Sequence, residues 1–318
     1  IELQLISDTS IGVLFSGGLD SSIITILADK QAKGNLTSIS ANFNEIDFSE
    51  SSHRKLISQN ISANHHEQII TYRDFVYNFD NVLQDMDQPT NDGINTWFIC
   101  KCAKEIGVKS VLSGLGADEL FGGYPSFDRI RKIQNFGKLS REMIKSARFL
   151  KNIKLKRLYY LSFQSPIGEY LCLRGLYTPD IIADLLEIDI QTVINCLQNI
   201  PLNESIRCVN DEERASWFEM NIYMQNQLLK DTDFMSMSHG VEARVPFLDI
   251  NFINLVNAIH PSIRYGEIQK KRLLIEAYKN ELPQETWNRS KMGFTFPFQE
   301  RMRKNKEKMI KINLSDLS

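Results

Sequence analysis

Much that would mark this chain as a membrane protein, a secreted domain or a nucleic-acid binder is missing from it. No apolar run approaches the ~18 residues needed to cross a bilayer. The chain opens at Ile1 with no signal-peptide pattern. No long block of one charge sign occurs: 37 Lys and Arg stand against 39 Asp and Glu, which removes the electrostatic footprint of general nucleic-acid binding. The short basic stretch Arg301, Arg303, Lys304, Lys306, Lys308, Lys311 is interrupted by Glu307 and reads as a solvated terminal helix. The cysteines Cys100, Cys102, Cys172, Cys196 and Cys208 are odd in number, scattered and without a CxxC pair. Neither a disulfide framework nor a zinc site is expected of them, and reduced thiols in a cytoplasmic protein are. There is no internal repeat and no low-complexity linker. The chain also lacks an initiator Met and runs almost at once into a strand, so it is expected to be part of a longer protein.

What is present is enough to fold. With 318 residues, 42% of them apolar, the chain can bury a core in one large domain or two closely packed ones. Apolar runs predict strands at Ile11–Phe15, Leu36–Phe43, Glu67–Thr71 and Val108–Leu112, alternating with helices at Ser21–Lys30, Glu50–Ile61 and Asn95–Ile106. Such alternation predicts a parallel α/β sheet with ligands at the carboxyl ends of its strands. After Tyr124 the pattern turns helical, with no convincing strand alternation and one long helix or two in succession over Glu212–Met237. The expected domains are an ATP-binding α/β core over residues 1–130 and a helical region over 131–318.

The most informative segment is Leu14 to Ser22, LFSGGLDSS, between the first strand and the first helix. Gly17 and Gly18 open backbone angles closed to other residues, so main-chain N–H groups can approach an anion. The following helix adds unpaired N–H groups and the positive end of its dipole. Ser16, Ser21 and Ser22 add hydroxyl donors. Asp20 would repel phosphates unless Mg2+ lay between them. No GxxxxGKS/T pattern is present, so this is not the common kinase or ATPase loop. The plain alternative is a glycine turn that merely joins strand to helix.

SGGxDSS after a strand resembles the pyrophosphate-binding PP-loop of the ATP pyrophosphatase superfamily, whose members split ATP into AMP and pyrophosphate. Later segments narrow the resemblance to the synthetase domain of glutamine-hydrolysing asparagine synthetases. Ser113–Tyr124, SGLGADELFGGY, is similar to that family's SGxGxDExFGGY element, and Met235–Asp249, MSMSHGVEARVPFLD, to its SMxxGxEARVPFLD stretch. Lys271 in KKRLL and Lys291 in RSKMGF look like its two late basic elements. These elements follow the family's order between Ile11 and Phe298 and so cover nearly the whole chain. A tRNA-modifying relative would call for a basic patch interleaved with aromatics, which this sequence lacks.

The resemblance implies a PP-loop fold, an adenine-nucleotide α-hydrolase-like parallel sheet, that uses ATP and Mg2+. A substrate carboxylate, expected to be the β-carboxylate of aspartate, would be adenylated with loss of pyrophosphate, and ammonia or an amine would then displace AMP. Ser16, Gly17, Gly18, Asp20, Ser21, Ser22, Ser113, Gly114 and Lys271 would bind the nucleotide, Asp20 and Asp118 the metal, and Lys291 and Asp118 would act in catalysis. Asp118 could instead cap the next helix, and Glu242 and Arg244 read as an ion pair holding the helical half. His65 and His66 fall in a segment similar to the family's HHE and are expected to pack or hydrogen-bond rather than bind metal. A glutaminase domain or subunit is the implied ammonia source, a homodimer is left open, and neither nucleic acid nor membrane is expected as a partner. One departure stands out: Leu115 occupies a position where asparagine synthetases normally carry Glu and the family's β-lactam-forming members Tyr. Two alternatives therefore stay open. One is the same chemistry on another acceptor, such as lactam or peptide-macrocycle formation or sugar-acid amidation; the other is a non-catalytic nucleotide-binding module.

Overall fold

The computed structural model describes residues 1–32, 34–43, 61–90, 92–136, 140–202, 206, 210–266 and 269–288. The helix expected from Glu50, the terminal basic stretch, Cys208 and Lys291 lie outside the described residues.

Five strands, β1 (Ile11–Leu14), β2 (Leu36–Phe43), β3 (Asn64–Ile70), β4 (Ser110–Leu112) and β5 (Glu242–Arg244), form one sheet in the order β3-β2-β1-β4-β5. All pairs are parallel, with Ile11 beside both Leu36 and Ser110, and Ser110 beside Glu242. Val13, Ile39, Val111 and Leu112 are wholly buried, as expected where helices cover both faces of a parallel sheet. Buried hydroxyls on β2 have partners: Ser38 Oγ lies 2.8 Å from His65 Nδ1 and Ser40 Oγ donates to the Phe15 carbonyl. His65 thus packs and hydrogen-bonds, its ring edge-on to Phe15.

The strands expected from the sequence are all present, and β2 has the predicted bounds. A helix at Tyr72–Gln84 was not anticipated; a capping box between Thr71 and Asp74 starts it. β5 is a second difference, because it lies in the half read as free of strands. Its three residues are too few to display alternation. Arg244 does pair with Glu242 at 3.1 Å, as expected, but on the sheet rather than in the helical half. Its Nη1 also donates to the carbonyls of Gln4 and Ile6, 2.8 Å each, tying down the first residues of the chain.

The chain divides into two compact units. The first comprises Ile1–Ala117 and Tyr223–Ala258, together with the segment that begins at Arg272; the second comprises Asp118–Ile222 and Ile259–Lys271. In the first, helix Asp92–Glu105 packs Trp97, Phe98 and Cys100 with Phe75 and Ile39 into the core beside the sheet. The second is built from helices, among them Pro125–Phe136, Pro166–Arg174 and Asp211–Phe218, around Phe127, Tyr160, Phe163 and Phe218. There Arg174 pairs in two-pronged fashion with the buried Glu219, which also accepts from Ser126. The expected long helix runs as Asp211–Phe218, a ten-residue π-helical stretch Glu219–Leu228, and Leu229–Met237. Among the described residues no helix is long and apolar enough to cross a membrane.

Candidate active site

In the first unit the glycine-rich segment leaves the carboxyl end of β1. The Phe15 N–H donates to the Ile39 carbonyl at 2.8 Å, and the chain then turns through Gly17 at φ +82°, a left-handed angle that suits glycine. Helix Leu19–Ala32 starts two residues earlier than the sequence suggested, so Asp20 lies in its first turn. The serine hydroxyls fold the loop on itself. Ser16 Oγ lies 3.0 Å from Ser21 Oγ and accepts from the Gly18 N–H, while Ser21 and Ser22 both donate to the Gly18 carbonyl.

The segment after β4 comes alongside. A Cβ on Gly114 would lie 3.1 Å from the Ser21 nitrogen and 3.2 Å from Asp20 Cβ, and one on Gly18 would lie 3.3 Å from Ser16 Oγ. Glycine at both places leaves the N–H groups at the start of the helix clear of side chains. The Ser113 N–H donates to the Arg244 carbonyl at 2.8 Å, so β5 fixes this segment. Ser16, Gly17, Gly18, Asp20, Ser21, Ser22, Ser113 and Gly114 are thereby gathered at one rim of the sheet. Gly116, at φ +99°, would drive a Cβ into Leu248, so the loop bearing the half-buried Leu115 presses on the VPFLD stretch.

In the second unit Lys271 Nζ lies 2.6 Å from Asp118 Oδ1. Lys271 is only 7% exposed and takes a left-handed backbone angle, φ +55°, unusual for a residue with a Cβ. A Cβ on Gly123 would collide with both Asp118 Oδ1 and the Lys271 side chain, so the pair requires glycine beside it. Asp118 is in the first turn of helix Ala117–Phe121, yet its carboxylate is engaged by a cation, which is more than a helix cap.

Two carboxylates that the sequence left as candidate stand-in bases for the Leu115 position, Glu119 and Asp92, both have partners. Glu119, 1% exposed, accepts from the Tyr124 hydroxyl at 2.8 Å; burial, then the neighbouring Asp118 charge, pushes its carboxyl up to about 7. In the first unit, Tyr223 Oη and Gln227 Nε2 donate to Asp92 at 2.8 and 3.2 Å, and Thr90 and Gln88 donate to Asp231 at 2.7 and 3.3 Å. The signal for Glu119 was its place in ADELFGGY. Nothing local in the sequence announces the pairing of Asp92 with Tyr223, which spans 131 residues.

The whole chain, residues 1–318, matches the family model described as asparagine synthase. It belongs to that family. It is 26% identical over 313 residues to the glutamine-hydrolysing asparagine synthetase 1 of Bacillus subtilis, covering 93% of this chain and 48% of that protein. A putative glutamine-hydrolysing asparagine synthetase of Mycobacterium tuberculosis is 25% identical over 315 residues, covering 93% and 46% respectively. The chain thus spans about half the length of these curated relatives. Among solved structures, a tRNA thiolase from Methanococcus maripaludis is similar at 13% identity and a TM-score of 0.29, over 82% of this chain and 76% of that one; a likeness that loose carries no argument.

Membership of the family implies the use of ATP and Mg2+ typical of PP-loop synthetases, and the residues present fit both. The space kept open by Gly17, Gly18 and Gly114 at a helix N-terminus suits a phosphate. Among the described residues no three His, Cys, Asp or Glu side chains gather into a metal cage. Asp20, in the first turn of helix Leu19–Ala32, is a carboxylate of the kind that holds Mg2+ together with substrate phosphates.

Proposed function

We propose that this chain is the synthetase part of an ATP-dependent, AMP-forming amide ligase. It adenylates a carboxylate, aspartate being the first candidate, and transfers the acyl group to ammonia or an amine. The observation that carries this reading is the glycine-lined loop, Ser16–Ser22 with Gly114 alongside, in a chain that matches the asparagine synthase family from end to end.

The backbone N–H groups of the loop and the hydroxyls of Ser16, Ser21 and Ser22 bind and orient the pyrophosphate portion of ATP; within the loop Ser21 and Ser22 both donate to the Gly18 carbonyl. Ser113 and Gly114 bound the nucleotide from the β4 side. Asp20 and Asp118 are assigned as Mg2+ ligands. When bound, Mg2+ neutralises phosphate charge and eases the departure of pyrophosphate. Lys271, whose ammonium is held by Asp118 at 2.6 Å, is assigned to nucleotide binding, and Lys291, with Asp118, to catalysis, its cation meeting the charge that develops as the adenylate forms and breaks. A glutaminase domain or subunit is the proposed ammonia source, and the cytoplasm the proposed location.

Product analysis tests the reading. With a competent carboxylate and amine, ATP gives AMP and pyrophosphate in equal amounts; stoichiometric ADP would overturn it.

A further inference from the structure

Large apolar side chains left open to water are unevenly spread over the described residues. Of 23 such side chains, 11 lie in two stretches of the second unit, residues 141–157 and 176–190. The first exposes Phe149 (74%), Ile153 and Leu155; the second exposes Leu176 (77%), Leu185 (63%) and Leu186. The stretches adjoin: Lys156 pairs with Asp180, Arg157 Nη1 donates to the Gly175 carbonyl at 2.9 Å, and the buried Tyr160 donates its hydroxyl to the Tyr177 carbonyl at 2.7 Å. We propose that they form one face, through which two copies of this chain pair about a twofold axis.

Charge selects the occupant. Residues 141–157 carry seven Lys and Arg against the single Glu142, whereas residues 176–190 carry Asp180, Asp184, Glu187 and Asp189 and no basic residue. Lys156 and Asp180 meet at the seam, and Lys151, Lys154, Asp184 and Glu187 are exposed on either side of it. A face so divided is its own complement. A half-turn about the seam lays the basic half of one copy on the acidic half of the other, and every contact then occurs twice. A uniformly anionic partner, such as an acidic lipid surface, would be attracted by one half and repelled by the other. Size agrees. The stretches hold 17 and 15 residues, enough for the roughly 20–30 residues a side of a standard interface. Pairing also withdraws from water an apolar surface of the extent that monomers seldom leave open. The inference rests on the second unit alone and stands whether or not the ligase reading holds.

Sedimentation of the whole chain over a range of concentrations decides it. Reversible dimerisation is expected. Leu185→Asp, and separately Lys151→Glu combined with Lys154→Glu, are each expected to raise the dimer dissociation constant at least about tenfold, because every change acts at two symmetry-related contacts. Adding Asp184→Lys to the lysine variant should recover part of that loss, which damage to the fold would not allow. All four side chains are exposed, so the circular dichroism of the variants should match that of the wild type. The proposal is overturned if the chain stays monomeric up to about 0.1 mM, or if it dimerises and neither Leu185→Asp nor the lysine variant weakens the dimer. Binding of a monomeric chain to phosphatidylserine vesicles would likewise overturn it and give the face to a lipid surface instead.

Discussion

Asp118 and Glu119 are adjacent carboxylic acids in opposite situations. Asp118 is paired with Lys271, whereas Glu119 is buried near the Asp118 and Glu219 charges, with the Tyr124 phenol donating to it. Asp20→Asn and Asp118→Asn are both expected to abolish most AMP formation, yet they should differ in stability. Asp118→Asn leaves a nearly buried ammonium without its carboxylate, at a cost of about 1–3 kcal/mol, while Asp20→Asn should melt close to the wild type. Normal AMP release by either variant under saturating Mg2+ would remove that residue from the metal assignment. Glu119 predicts a pH dependence. Its folded pKa, about 7, lies above the ordinary 4.5, so between those values the folded chain holds a proton that the unfolded chain has released. The stabilisation is full below about pH 4.5 and is lost as the pH rises through 7, by roughly 3 kcal/mol at most. Glu119→Gln, which still accepts from Tyr124, should therefore flatten the fall in melting temperature between pH 5 and pH 8; an unchanged slope would show that Glu119 is not the responsible group.

At the scale of elements, the start of helix Asp92–Glu105 is held by the Tyr223–Met237 stretch. Gln88 donates to the Asn226 carbonyl in the π-helical segment, Thr90 to Asp231, and Tyr223 and Gln227 donate to Asp92. Gly93 lets the two helices meet, since a Cβ there would lie 3.1 Å from Met235 Cε and 3.0 Å from Thr90 Cγ2. Gly93→Val should cost about 1–3 kcal/mol by overpacking, and the double variant with Met235→Ala should recover part of that loss. Additive losses in denaturant midpoints would contradict the contact. These contacts also mark where sequence reading runs out. β1 was legible as a continuous apolar run, β2 and β4 as stretches in which apolar residues such as Leu36, Ile39, Val111 and Leu112 outweigh buried serines, and the loop at Ser16–Ser22 because its glycines and serines have few other uses in that order. β5 was not legible, since Glu242 and Arg244 are polar and the strand exists only by pairing with a β4 distant in sequence. The Asp118–Lys271 pair was half legible. Each residue was marked for the site, but their 2.6 Å contact depends on Gly123 and on a strained Lys271, neither of which leaves a periodic trace.

For the molecule as a catalyst, the open question is the acceptor, and Leu115 bears on it. An aliphatic side chain can neither take a proton from an attacking amine nor accept its hydrogen bond. The candidate stand-in carboxylates are already engaged, Glu119 by Tyr124 and Asp92 by Tyr223 and Gln227. Free aspartate with ammonia is therefore expected to be a poor substrate pair, and Leu115→Glu to improve asparagine formation. AMP release measured across a panel of carboxylates and amines will decide this; efficient aspartate-dependent asparagine synthesis by the wild type would show that Leu115 does not mark a different acceptor. The order of the sheet has a consequence for the making of the protein. Ser110 and Glu242, neighbours across β4 and β5, are 132 residues apart in the chain. At 5–20 residues per second a ribosome takes roughly 7 to 26 s to cover that distance. For that interval each nascent chain carries β4 with an unpaired edge, the feature that invites another chain to add a strand, so the yield of this protein in a cell is set partly by what shields β4 until Arg244 has been made.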